Sequence, residues 1–163
     1  MKELTISTTI QICRYEELAD EERRVIESAC EATRNSYAPY SRFCVGAAAL
    51  LQNDIIVCGT NQENAAYPSG LCAERTTLFA AHSQYPHQSV RMLAIAARNE
   101  EGFTQLPISP CGACRQVMQE TESRYGQPMR LLLYGTEQIY RINSAASLLP
   151  LAFGKDYLKE SEK

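Results

Sequence analysis

The sequence predicts an α/β fold: a three-layer α/β/α sandwich, in which a mixed sheet of about five strands carries helices on both faces. Three observations lead there. The chain has 163 residues, 45% hydrophobic and 21% charged, the balance of one domain with a single core. Apolar runs of strand length alternate along it with segments of helical period. No repeat, low-complexity stretch or linker interrupts the alternation, so residues 1–163 read as a single domain.

The elements follow in order. Leu4, Ile6, Ile10 and Ile12 alternate with polar residues, the pattern of a strand with one apolar face, serving as an extra edge strand or an arm over residues 1–13. From Glu16 to about Asn35 the period turns helical, with Leu18, Val25, Ile26, Ala29 and Cys30 near one face. The segment from Tyr37 to Ser41 ends it. Val45 to Leu51 and Ile55 to Cys58, separated by Gln52-Asn53-Asp54, read as a hairpin. A loop rich in Asn, Gly and Pro precedes a helix from Ala73 to His82, and Val90 to Ala97 has strand length. A loop from Arg98 to Ser109 leads to a third helix, Cys111 to about Ser123. Met129 to Tyr134 with Gln138 to Ile142 is a second hairpin, and a short helix covers about Ser144 to Leu149. The charged last residues are expected to fray.

Sixteen basic against nineteen acidic residues leave a formal charge of −3, so no overall positive field draws in a polyanion, and a nucleic-acid partner is disfavoured. No apolar run approaches the ~20 residues needed to span a bilayer, and the amino terminus does not read as a signal peptide; no membrane partner and a cytoplasmic location are expected. Seven cysteines, an odd number, argue against a disulfide framework.

Two predicted helices open on cysteine: Leu71-Cys72-Ala73-Glu74-Arg75, and Pro110-Cys111-Gly112-Ala113-Cys114-Arg115-Gln116. Residues three apart share a helix face, so Cys111 and Cys114 can address one centre. Helix amino termini carry free N–H groups and partial positive charge, which favour the thiolate that binds metal. Three thiolates fill three of zinc's four tetrahedral positions and keep the fourth open, as catalytic zinc requires. His82 and His87 do not fall at zinc-finger spacings. Cys72 is expected to cap its helix while Glu74 points toward the open position as a proton carrier, and Arg75 draws charge off the sulfurs. A Cys-x-x-Cys pair alone also suits a redox dithiol or a chance pairing. A closed, zinc-stabilised binding module needs a fourth protein ligand. Glu74 alone reads as a solvated first-turn acid and Arg75 alone as a surface cation; Cys13, Cys30, Cys44 and Cys58 read as small buried hydrophobes.

Taken together, these motifs resemble the zinc site of the small homotetrameric cytidine deaminases. Ala38-Pro39-Tyr40-Ser41-Arg42-Phe43-Cys44-Val45-Gly46-Ala47-Ala48 looks like that family's Pro-Tyr-Ser-x-Phe-x-Val-Gly-Ala segment, although Cys44 stands where many relatives have proline. Residues Asn61 to Pro68 look like its nucleoside loop and Leu149 to Gly154 like its carboxy-terminal closure, while Met1 to Cys13 match nothing in it. The resemblance implies one zinc per chain on Cys72, Cys111 and Cys114, with Glu74 as proton shuttle for zinc-activated water. It implies that Phe43 stacks near the pyrimidine, that Asn61 and Glu63 bind the ribose hydroxyls, and that Ala73 offers backbone contacts to the base. Tyr67 and Phe153 would complete a neighbour's pocket in a homotetramer with shared sites. The implied reaction is hydrolytic deamination of cytidine and 2′-deoxycytidine in pyrimidine salvage. A polynucleotide deaminase and a deaminase of another small aminopyrimidine are the alternatives with the same chemistry.

Overall fold

The computed structural model describes residues 1–158. Among them seven strands form one sheet: β1 (Gln11–Cys13), β2 (Cys44–Leu51), β3 (Ile56–Thr60), β4 (Val90–Asn99), β5 (Gly102–Phe103), β6 (Arg130–Tyr134) and β7 (Ile139–Ile142). The order is β1-β7-β6-β4-β2-β3, with β5 paired to β4. Only β4 and β6 run parallel; every other pair is antiparallel, so the sheet is mixed.

Helix α1 (Asp20–Ala32) covers one face, while α2 (Ala73–Gln84) and α3 (Gly112–Tyr125) cover the other. The side-chain alternation of β2 explains the division. Ala47, Ala49 and Leu51 pack with Leu78 of α2 and Met118 of α3, whereas Ala48 and Leu50 pack with Val25, Ile26 and Ala29 of α1. The run of alanines lets helices approach the sheet on both sides. At Gly46 an added Cβ would stand 2.1 Å from the Ala29 carbonyl oxygen, so α1 rests directly on the strand backbone.

Asp20, Glu21 and Glu22 occupy the first turn of α1, where acidic side chains complement the helix dipole. Glu22 also accepts the Ala19 backbone N–H at 3.1 Å, closing the helix start. It is buried, and Arg130 at 3.0 Å and Arg141 at 3.3 Å neutralise it, tying α1 to β6 and β7. The β2–β3 turn is completed by Asp54 at φ 65°, a left-handed position that aspartate tolerates.

Three expectations need correction. The sheet has seven strands, because β5 and β1 add to the five expected. Two residues at Gly102–Phe103 are too short to show a period, so the stretch after Ala97 reads as loop. The alternating amino terminus is a strand only over Gln11–Cys13, since β7 offers four residues for pairing; Leu4, Ile6 and Ile10 stay exposed. The short helix expected after β7 is present as a 3₁₀ helix, Ala145–Leu148, held by the α3 carboxylate Glu122, which accepts N–H bonds from Ala145 at 2.8 Å and Ala146 at 3.1 Å. The expected fraying of the final residues falls on 159–163, outside the described residues.

Candidate functional site

The two cysteine-marked helix starts lie side by side on the α2–α3 face of the sheet. Cys72 is the extended N-cap residue of α2, and Cys111 holds the same position on α3. Hydroxyls pin α2 in place. Thr76 Oγ1 donates to the Thr60 carbonyl at 2.8 Å, and the Thr77 hydroxyl reaches the Ala47 carbonyl at 3.3 Å and the Ala73 carbonyl at 2.7 Å. Gly59 makes that seat possible, because an added Cβ there would stand 2.5 Å from Thr77 Oγ1. The start of α3 is fixed by Arg115, which donates to the carbonyls of Pro110 at 2.8 Å and Leu148 at 3.0 Å.

These placements bring three sulfurs together. Cys72 Sγ lies 3.8 Å from Cys111 Sγ, Cys111 Sγ lies 3.4 Å from Cys114 Sγ, and all three are within 4.8 Å of one another. Four ligands about 2.3 Å from zinc stand about 3.8 Å apart at the corners of a tetrahedron, so the trio fits one zinc ion. Its electrostatics point the same way. The Cys72 thiol is drawn down to about 5, first by hydrogen bonding to Cys114 and then by Arg75, whose Nη2 is 4.0 Å from its sulfur. Hydrogen bonding to Cys72 raises the Cys114 thiol, and burial adds to the rise. Three thiolates in one place need a cation, and a divalent ion supplies it. Among the described residues, no fourth Cys, His, Asp or Glu side chain converges with these three, so a tetrahedral ion held by them would keep one position for a non-protein ligand.

Glu74 sits in the first turn of α2, 4% exposed. Burial pushes its carboxyl above the usual range, a tendency that its own backbone N–H and the Cys114 thiol partly offset. A carboxyl group so placed can both accept and donate a proton. Ala73, ahead of it, is fully buried. Arg75 is half-buried, and its Nε is buried without a hydrogen-bond partner.

A hydrogen-bonded lattice joins the predicted nucleoside loop to this centre. Gln62 and Leu71 exchange backbone bonds at 2.9 Å each, which places Asn61 and Glu63 next to the segment that leads into Cys72. The Asn61 carboxamide donates to the Phe43 carbonyl at 2.8 Å and accepts from the Val45 N–H at 2.9 Å. One carboxylate oxygen of Glu63 accepts the N–H groups of Tyr40 at 2.9 Å and Ser41 at 3.2 Å. Both side chains therefore shape the segment that presents Phe43, a role that spacing alone did not reveal. Amide and carboxylate each retain an acceptor or donor for a ligand.

Tyr67 and Phe153 are not gathered at the metal centre in the same way. Tyr67 is 97% exposed and lines, with Tyr40, Glu63 and Pro68, an open cavity of about 530 Å³. Phe153 is 60% exposed and stacks on Tyr157 with ring centroids 5.8 Å apart. A larger cavity of about 710 Å³ between α1 and β3 holds none of the predicted site residues. Of the four cysteines expected in the core, Cys13 is buried, Cys30 and Cys44 are half-buried, and Cys58 is exposed because β3 is the sheet edge. Thr76, Thr77 and Arg115 position the centre and escaped the sequence reading. Their signal, a polar residue one turn after each helix-opening cysteine, is common on any helix.

Comparison with known proteins agrees with the geometry. A family model described as the cytidine and deoxycytidylate deaminase zinc-binding region matches residues 19–125. The cytidine deaminase of Sporosarcina psychrophila is 40% identical over 139 residues, covering 85% of this chain and 95% of that protein. The cytidine deaminase of Mycobacterium tuberculosis (strain H37Rv) is 37% identical over 139 residues, covering 83% and 92%. Among solved structures, the cytidine deaminase from Burkholderia pseudomallei superposes with a TM-score of 0.68 at 38% identity, covering 80% of this chain and 97% of that one.

Proposed function

Because this chain belongs to the cytidine and deoxycytidylate deaminase family, we propose that it hydrolyses cytidine and 2′-deoxycytidine to the corresponding uridines with release of ammonia, as a step of pyrimidine salvage in the cytoplasm. The observation that carries this reading is the buried Glu74 carboxyl beside a three-sulfur centre with a free fourth position. Cys72, Cys111 and Cys114 hold zinc, which when bound acts as a Lewis acid and makes water a nucleophile near neutral pH. Glu74 takes a proton from the attacking water as its oxygen bonds to C4, and delivers it to N3. It then carries the second proton to the amino group, which departs as ammonia as the C4–N bond breaks. One carboxylate serves both transfers, and its raised proton affinity suits that exchange.

Phe43 packs on the pyrimidine face, the backbone of Ala73 meets the base edge, and the groups left free on Asn61 and Glu63 bind the sugar hydroxyls. Arg75 draws negative charge from Cys72 and keeps the centre electrophilic. The exposed rings of Tyr67 and Phe153 support a homotetramer in which they close neighbouring sites, since large apolar groups left in water are what an interface covers. No helix among the described residues is long and apolar enough to cross a membrane.

Ammonia release from free nucleosides and from oligonucleotides tests the substrate class. The zinc-loaded protein is expected to release ammonia from cytidine and deoxycytidine, and not from single-stranded oligonucleotides, whose phosphates need clustered Lys and Arg. Release from oligonucleotides alone, or only from a different aminopyrimidine, overturns the proposed substrate.

A further inference from the structure

Helix α3 carries a second set of contacts that the zinc site does not use. Gln116 Nε2 donates to the Phe153 carbonyl at 2.8 Å. One turn on, Gln119 lies against Gly154, where an added Cβ would stand 3.3 Å from Gln119 Nε2. A further turn along, the Ser123 carbonyl accepts Lys155 Nζ at 2.9 Å. Positions 116, 119 and 123 lie on one face of a helix. They meet residues 153, 154 and 155 in the same order, so the carboxy-terminal segment runs along α3 in the direction of its chain. Within that segment, Tyr157 N–H bonds to the Gly154 carbonyl at 3.1 Å, and the Phe153 and Tyr157 rings stack.

The consequence concerns Phe153. Its ring is 60% exposed and stacks on Tyr157 of the same short segment, so that stacking does not tie it to α3. Its backbone is held by a carboxamide two residues beyond Cys114, on the same helix that provides two of the three sulfurs. We propose that Gln116 is a positioning residue: it latches the carboxy-terminal segment to the metal-binding helix and thereby sets where Phe153 stands relative to the substrate pocket. This rests on the reading of Phe153 as a substrate-closing ring. The amide donor is what matters, because a carboxylate at 116 would face the Phe153 carbonyl with no proton to offer.

The test uses the zinc-loaded full chain and the variants Gln116→Ala, Gln116→Glu, Phe153→Ala and the double variant Gln116→Ala/Phe153→Ala. Hydrogen exchange of residues 153–158 is expected to quicken in both Gln116 variants while bound zinc stays at the wild-type level. The KM for cytidine is expected to rise about fivefold in each with kcat within about twofold, the loss of one hydrogen bond that acts on binding. In the Phe153→Ala background the same Gln116→Ala change is expected to leave KM unaltered. Unchanged exchange at 153–158 overturns the latch whatever the activity. Faster exchange with unchanged KM, or an equal rise in KM with and without Phe153, overturns the positioning role. A wild-type protein that holds zinc and leaves cytidine intact overturns the proposed reaction instead, and the exchange measurement still decides the latch.

Discussion

Replacing Glu74 by alanine is expected to lower cytidine turnover by ~10²–10⁴-fold, the range that removal of a general acid–base group produces. The protein should keep its zinc and its fold. Glu74 contributes no sulfur, and α2 is held by Thr76 and Thr77 through their bonds to Thr60 and Ala47. Glutamine at position 74 keeps the shape and removes the proton exchange, so Glu74→Gln should fall as far as alanine does. Steady-state kinetics with metal analysis on the same samples checks both points. Near-normal turnover in either zinc-loaded variant removes Glu74 from the proton path.

The second large effect belongs to the sulfurs. Cys114→Ala should leave less than about a tenth of the wild-type zinc bound and abolish measurable turnover, since two thiolates do not hold the ion as three do. Cys114 is the buried member of the trio, so solvent does not readily take its place. Cys58→Ala is the matching control: Cys58 lies exposed on β3 and is not among the three converging cysteines, so zinc and turnover should stay at wild-type levels. Bound zinc is read by metal analysis after gel filtration. A Cys114→Ala protein that retains a full equivalent of zinc and full activity contradicts the three-thiolate site.

The metal centre was legible in the sequence because its information is local. Cys72 and Cys111 each open a helix, and the helical period puts Cys114 on the same side as Cys111. Long periodic segments such as α1 and the alternation of β2 between two helical layers were legible for the same reason. What escaped depends on partners distant in the chain. The alternation of Leu4, Ile6 and Ile10 does not say that the neighbouring strand has only four residues to pair with. Nothing near Asn61 or Glu63 reveals that each is already bonded to the Phe43-bearing segment. Glu122 gives no local sign that it holds a turn some twenty residues further along. The convergence of the three cysteines was thus readable from spacing, and the contacts that support it were readable only from the folded chain.

The ultraviolet absorbance of cytidine, followed in the presence of the protein with and without a zinc chelator, tests directly whether the three-cysteine centre deaminates it. Absorbance is expected to fall as cytidine becomes uridine, to stop falling once the chelator has stripped the metal from Cys72, Cys111 and Cys114, and to resume when zinc is returned. Zinc-loaded protein that leaves cytidine intact, or metal-stripped protein that consumes it at the same rate, would contradict the account.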